Sequence, residues 1–206
     1  MPLNKFLIFL IVAWSGFYVM SIELLSGRIL SPSFGNGIHV WGAVITVFML
    51  ALAAGYLLGG RLSVSNPSLK ILAILLLLAA VATTPVIFFG ESVLEEVFNR
   101  IHDPRYGAMM SSIILFSLPT VVSGMISPYA VRLTVSEYRF CGHYAGLLYS
   151  VSTFGSAVGT LLTSFYLVRY FEIFQIIWIM IGISTLFGVF ALVVGTNNDD
   201  KNIYNH

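Results

Sequence analysis

Six stretches of this chain, 6–25, 40–58, 71–89, 108–130, 145–166 and 173–194, are apolar runs of about 20 residues, the length that crosses about 30 Å of hydrocarbon as a helix. In lipid the backbone must satisfy its own hydrogen bonds, so such runs predict an all-α, polytopic membrane bundle of about six transmembrane helices. The bundle occupies residues 1–196 and leaves 197–206 as a short polar tail on the cytoplasmic side. The first run follows Lys5 but has no small-x-small cleavage site, and Trp14, Phe17 and Tyr18 stud it. It reads as a retained span and not as a signal peptide.

Charged residues make up 9% of the chain and apolar residues 58%, with a mean hydropathy of +0.92; soluble domains carry about 25% charged residues. The lipid bilayer is therefore the first partner. A net charge of +1 on so few ionic groups offers no basic face to nucleic acid, and the lone Cys141, read as a packing residue, excludes an internal disulfide. An even number of spans puts both termini on one side. Lys5, Arg61, Lys70, Arg132, Arg139 and Lys201 fall on that side, against Arg28, Arg100, Arg105 and Arg169 on the other, so both termini are expected in the cytoplasm.

Charge inside or beside a span is costly, which draws attention to Glu23 and Arg28. Pro32, Gly35 and Gly37 punctuate the link that follows. Two readings are open: Glu23 and Arg28 form a coupled pair at the mouth of the bundle, or both mark the helix end, with Arg28 snorkelling to headgroups. Five residues apart, they stand about 140° apart on an ideal helix, so pairing needs the first span to end near Leu25 and Arg28 to fold back. On that model Arg28→Ala strands a carboxylate and costs one to a few kcal/mol, on the order of other broken buried pairs. Otherwise Glu23 meets a donor such as Tyr149, Ser152 or Arg132.

Segment 90–107 has its own pattern. Val93, Leu94, Val97, Phe98 and Ile101 recur at helical spacing against Glu91, Glu95, Glu96 and Arg100, predicting a short amphipathic interfacial helix. The fourth span carries Pro119, Gly124 and Pro128, enough to bend or break it and to free backbone carbonyls. Gly55 and Gly59 in the second span, and Gly146, Gly155 and Gly159 in the fifth, are small-residue steps that bring helices close. No HExxH, CxxC, GxSxG or Walker loop occurs and the histidines are scattered, so no metal site, cofactor or catalytic domain is read.

The string Glu23, Arg28, Pro32, Phe34-Gly35 and Trp41, followed by Gly55-Tyr56-Leu57-Leu58-Gly59-Gly60-Arg61, resembles the start of the membrane domain of spermidine synthase-like (polyamine aminopropyltransferase) proteins. Pro119, Gly124-Met125-Ile126-Ser127-Pro128, Arg132-Leu133 and Gly146-Leu147-Leu148-Tyr149-Ser150, with Thr153, Gly155 and Gly159, are similar to its later helices. The resemblance implies a multi-pass module of the bacterial cytoplasmic (inner) membrane. In that family a soluble synthase domain commonly follows the membrane part; no such domain occurs in this sequence.

Two functions follow as expectations. One is binding or transport of a polyamine or another small polar solute at a site built from Glu23, Arg28, Trp41, Pro128, Tyr149 and Ser152, with Gly55, Gly59, Gly60, Gly124, Gly146, Gly155 and Gly159 packing the helices. The other is a non-catalytic scaffold docking a soluble aminopropyltransferase-like partner through Arg61, Arg132 and Arg139. A homodimer sealed along the second or fifth span suits either one. An intramembrane enzyme using Glu23 beside Tyr18 or Trp41 would lack a second catalytic group.

Overall fold

The computed structural model describes residues 3–65, 67–135 and 140–203. Among the described residues six apolar spans are present: α1 (Leu3–Phe34), α2 (Ile38–Leu62), α3 (Leu69–Arg100), α4 (Pro104–Thr134), Cys141–Tyr170 and α7 (Ile173–Ile203). The fifth span is compound, with α5 (Cys141–Leu162) running into a π turn (Thr163–Leu167) and the three-residue α6 (Val168–Tyr170). The polar segment from 197 thus begins as a continuation of α7.

Local chemistry sets the starts. Ser68 opens α3 by accepting the Ile71 N–H at 3.3 Å, and the Tyr129 hydroxyl of α4 accepts the Ser68 N–H at 3.0 Å. Asp103 opens α4 with Pro104 behind it; its Oδ1 accepts the Arg105 N–H at 2.9 Å, and the Arg105 guanidinium binds both carboxylate oxygens. Hydrogen bonding to that guanidinium, reinforced by the backbone N–H, holds the Asp103 carboxyl below the usual carboxylate range.

Three expectations are corrected. The first span does not end near Leu25: α1 runs on through Pro32 to Phe34, where Gly35 at φ +80° stops it and closes an N–H bond on the Ser31 carbonyl at 2.9 Å. Pro32 deprives only the Arg28 carbonyl of its donor, a loss tolerated so close to a helix end. Among the described residues segment 90–107 forms no separate interfacial helix, because the apolar repeat of α3 continues without a breaker into Leu94 and Val97. Those two are buried in the same apolar cluster as Leu30 and Phe34, while Glu91, Glu95 and Glu96 stay exposed. Nor is the fourth helix broken: α4 is continuous through Pro119 and Pro128.

α1 is the hub and touches every other span. Two seams of the bundle, α1 with α5 and α2 with α4, use the absence of side chains. A Cβ at Gly155 or Gly159 of α5 would overlap the carbonyls of Ala13 or Phe17, and one at Gly16 would overlap the Ser152 carbonyl. Likewise Gly55 and Gly59 of α2 lie on the backbone of α4 at Val121 and Met125, with Gly124 facing Leu52. The glycines expected at a dimer seam are therefore mostly spent inside the monomer. Gly60 and Gly146 differ, having open space around them.

Polar pairs tie the same hub to its neighbours. Tyr18 donates to Thr83 Oγ1 at 2.6 Å, Trp14 to Ser184 Oγ at 2.8 Å, and Ser156 to the Gly16 carbonyl at 3.2 Å. Thr163, at the start of the π turn, donates to Ser21 Oγ at 2.8 Å. Two apolar clusters fill the bundle, one toward the Asp103 end around Leu25, Phe48 and Phe116, and one toward the opposite end around Ile11, Leu72 and Tyr129.

Candidate functional site

Between those clusters the core is polar. Ser15 of α1, Ser123 and Ser127 of α4, and Ser152 and Ser156 of α5 line a cavity of about 210 Å³ together with Gly16, Met20, Gly124 and, from α2, Leu52 and Tyr56. Gly16 and Gly124 let the helix backbones close together beside it: a Cβ at Gly16 would overlap the Ser152 carbonyl, and one at Gly124 would press on the Leu52 carbonyl. Tyr56 is exposed, so the cavity reaches the bundle surface where α2, seated on α4, and α5, seated on α1, flank it.

The α4 backbone adds an acceptor. Pro128 has no N–H to offer four residues back, so the Gly124 carbonyl in the cavity wall lacks its helical donor. Ser123 Oγ donates to the Pro119 carbonyl at 2.8 Å and Ser15 Oγ to the Ser123 carbonyl at 3.3 Å, so both hydroxyl protons are used and the hydroxyl oxygens keep acceptor capacity. Such a wall accepts hydrogen bonds from a cation or an amine.

Glu23 lies on the same face of α1 as Gly16 and Met20, about one turn further toward the Asp103 end. It is half-buried, about 16 Å short of the end of α1. Trp41 packs its indole over Gly27, the next small residue on that face. Among the described residues the Glu23 carboxylate has no ion-pair or hydrogen-bond partner. The coupled-pair reading is thus corrected: an unbroken helix keeps Arg28 on another face, where it is exposed and has no ion-pair partner among the described residues. None of Tyr149, Ser152 or Arg132 supplies the alternative donor, and Arg132 stands at the opposite end. For Glu23 the helix-end reading fails as well, since α1 continues eleven residues beyond it to Phe34.

Arg28→Ala is accordingly expected to leave the stability of the protein in lipid-free detergent unchanged within about 0.5 kcal/mol, the range of surface substitutions. Thermal unfolding followed by helical circular dichroism measures it; a loss of several degrees would restore the pair.

Of the residues expected at the site, Ser152 lines the cavity and Pro128 shapes its wall. Tyr149 is exposed and close to Tyr56 across the α2–α5 flank. Arg28 belongs to a different cavity, with Glu91 and Glu95. Tyr18, offered beside Glu23, faces Thr83 in the core instead. Arg61 and Arg132 are exposed at the ends of α2 and α4; Arg139 lies outside the described residues. Ser15, Ser123, Ser127, Ser156 and Tyr56 were not singled out as site residues. Their signal is the four-residue step of Ser123 to Ser127 and of Ser152 to Ser156, which puts paired hydroxyls on one face of each helix.

No protein-family model, curated protein or solved structure matches this chain. The likeness to the spermidine synthase-like membrane domain therefore rests on the sequence motifs alone.

Proposed function

We propose that the chain is a membrane-embedded module that binds a small amine-bearing solute, of the polyamine class, in the serine cavity, with Glu23 as the counter-charge one turn away. The observation that carries this reading is the cavity itself, which five serines, Tyr56 and Gly124 line between apolar layers. Acceptors gathered at that depth are costly unless something donates to them. An ammonium group does so, and the unpaired carboxylate compensates its charge. The resemblance to the membrane part of spermidine synthase-like proteins agrees in ligand class, and transport across a bacterial inner membrane is the activity it suggests.

Uptake of labelled spermidine into proteoliposomes tests it. Wild-type protein should exceed empty liposomes, and Ser152→Leu, which fills the cavity from α5, should abolish the excess while leaving the protein helical and monodisperse. Uptake that survives the filled cavity at equal protein level sinks the proposal.

A second reading keeps one specific support. Arg61 and Arg132 are exposed at the same end of the packed pair α2 and α4, a placement suited to docking a soluble enzyme of the aminopropyltransferase type. A soluble protein that co-purifies with the chain, and is lost with Arg61→Glu and Arg132→Glu, would favour it.

A further inference from the structure

At the Asp103 end, a second cavity of about 430 Å³ opens between the last turns of α1, the acidic part of α3 and the first turn of α7. Its charged lining is Arg28 from α1 and Glu91 and Glu95 from α3; Leu94, Phe98 and Phe174 supply the apolar wall. Arg28 and these carboxylates share one cavity but form no ion pair with each other. The next carboxylate along, Glu96, pairs with Arg100 one turn on, whereas Glu91 and Glu95 have no basic residue three or four positions away on α3. Opposite charges are thus held on either side of an open space, a geometry in which one ligand can answer both signs.

Depth narrows the ligand. α1 and α3 are 32 residues each, hence about 48 Å long and about 18 Å longer than the hydrocarbon layer, so some 9 Å at each end stands in the headgroup region. Arg28 lies six residues from the end of α1, and Glu95 lies five from the end of α3. Arg28 and Glu95 therefore sit at the boundary between headgroups and hydrocarbon and Glu91, nine residues from the end of α3, about one turn deeper, with Phe98 and Phe174 beside them.

We infer that this cavity binds a zwitterionic phosphoamine headgroup, its ammonium between Glu91 and Glu95, its phosphate on Arg28, and any attached hydrocarbon along Leu94, Phe98 and Phe174. A primary ammonium has three donors for the two carboxylates, and a guanidinium matches a phosphate in a bidentate manner. The same chemistry comes from two sources, an aminophospholipid of the surrounding leaflet or a free glycerophosphoamine. This site is separate from the serine cavity and does not depend on what that cavity carries.

Native mass spectrometry of the full-length protein in detergent, titrated with phosphatidylethanolamine or phosphatidylglycerol of matched chains, tests the inference. Wild-type protein should retain phosphatidylethanolamine on the order of tenfold more tightly, about 1.4 kcal/mol. The double change Glu91→Gln and Glu95→Gln should erase that preference without weakening phosphatidylglycerol, whereas Arg28→Gln should weaken both lipids. Equal retention of the two lipids by wild type overturns the proposal and needs no variant to fold; an unchanged preference in the double variant overturns it too. Displacement of bound phosphatidylethanolamine by glycerophosphoethanolamine supports the site and assigns it to a free solute, and a preference that glycerophosphoethanolamine does not displace assigns it to the lipid.

Discussion

Leucine in place of Gly155 is expected to unseat α5 from α1 and to give the largest loss of stability of any single change in the protein. The Gly155 Cα faces the Ala13 carbonyl so closely that even a methyl would overlap it, and the obstacle is backbone with no rotamer to yield. Overpacking in well-packed cores costs about 1–3 kcal/mol, and here the whole seam must open. Ser156 to Gly16 and Ser21 to Gly159 are bonds across that seam, so they are lost together with the contact. Close approach of small residues is the main source of helix association in lipid, and α5 has little other attachment. Thermal unfolding in detergent should move down by many degrees, with Gly155→Ala intermediate. A transition left in place by leucine contradicts the seam.

Glu23→Gln is expected to have the opposite profile, with an intact fold and a lost ligand. Glutamine keeps the shape, and because the carboxylate has no protein partner among the described residues, nothing in the bundle is stranded by removing its charge. Melting should stay in place or rise slightly, since an ion near a span centre costs up to about 3 kcal/mol on insertion scales. Amine binding should fall on the order of 100-fold, the factor for loss of a charge-assisted contact of about 2–3 kcal/mol. Spermidine uptake and equilibrium binding, measured at matched protein level, check it. Equal affinity in the two proteins means that Glu23 does not serve the serine cavity.

The six spans were legible because hydrocarbon demands long uncharged runs, and nothing else in a chain of this composition accounts for them. Their ends were less so. Helices that outrun the hydrocarbon carry polar residues with no change of backbone, so the charges at Arg28 and Glu91 looked like boundaries while α1 and α3 ran on. A proline in a last turn costs one hydrogen bond, and for that reason Pro32 lies within α1 and not after it. The glycine steps were visible as packing devices, but their partners were not, because spacing along one helix says nothing about which neighbour fills the groove.

The candidate site was legible in fragments. Pro128 and Ser152 could be picked out, one by its missing donor and one as a hydroxyl offered to Glu23, although Ser152 lines the cavity and does not bond Glu23. The other serines were silent because hydroxyls inside spans ordinarily bond back to their own helix, as Thr46, Thr84, Thr185 and Thr196 do here. Only the packing of four helices shows which ones meet.

The fifth span is attached almost entirely through one neighbour, with 17% of its most apolar stretch buried against 39–56% in the other five. It is also the least apolar of the six, and its bond from Ser156 to Gly16 joins residues 140 positions apart. During synthesis, then, α1 enters the bilayer with a bare strip at Ala13, Gly16 and Phe17 that stays greased by lipid until most of the chain has left the ribosome. The weakest segment to partition arrives last but one, and finds its berth already built.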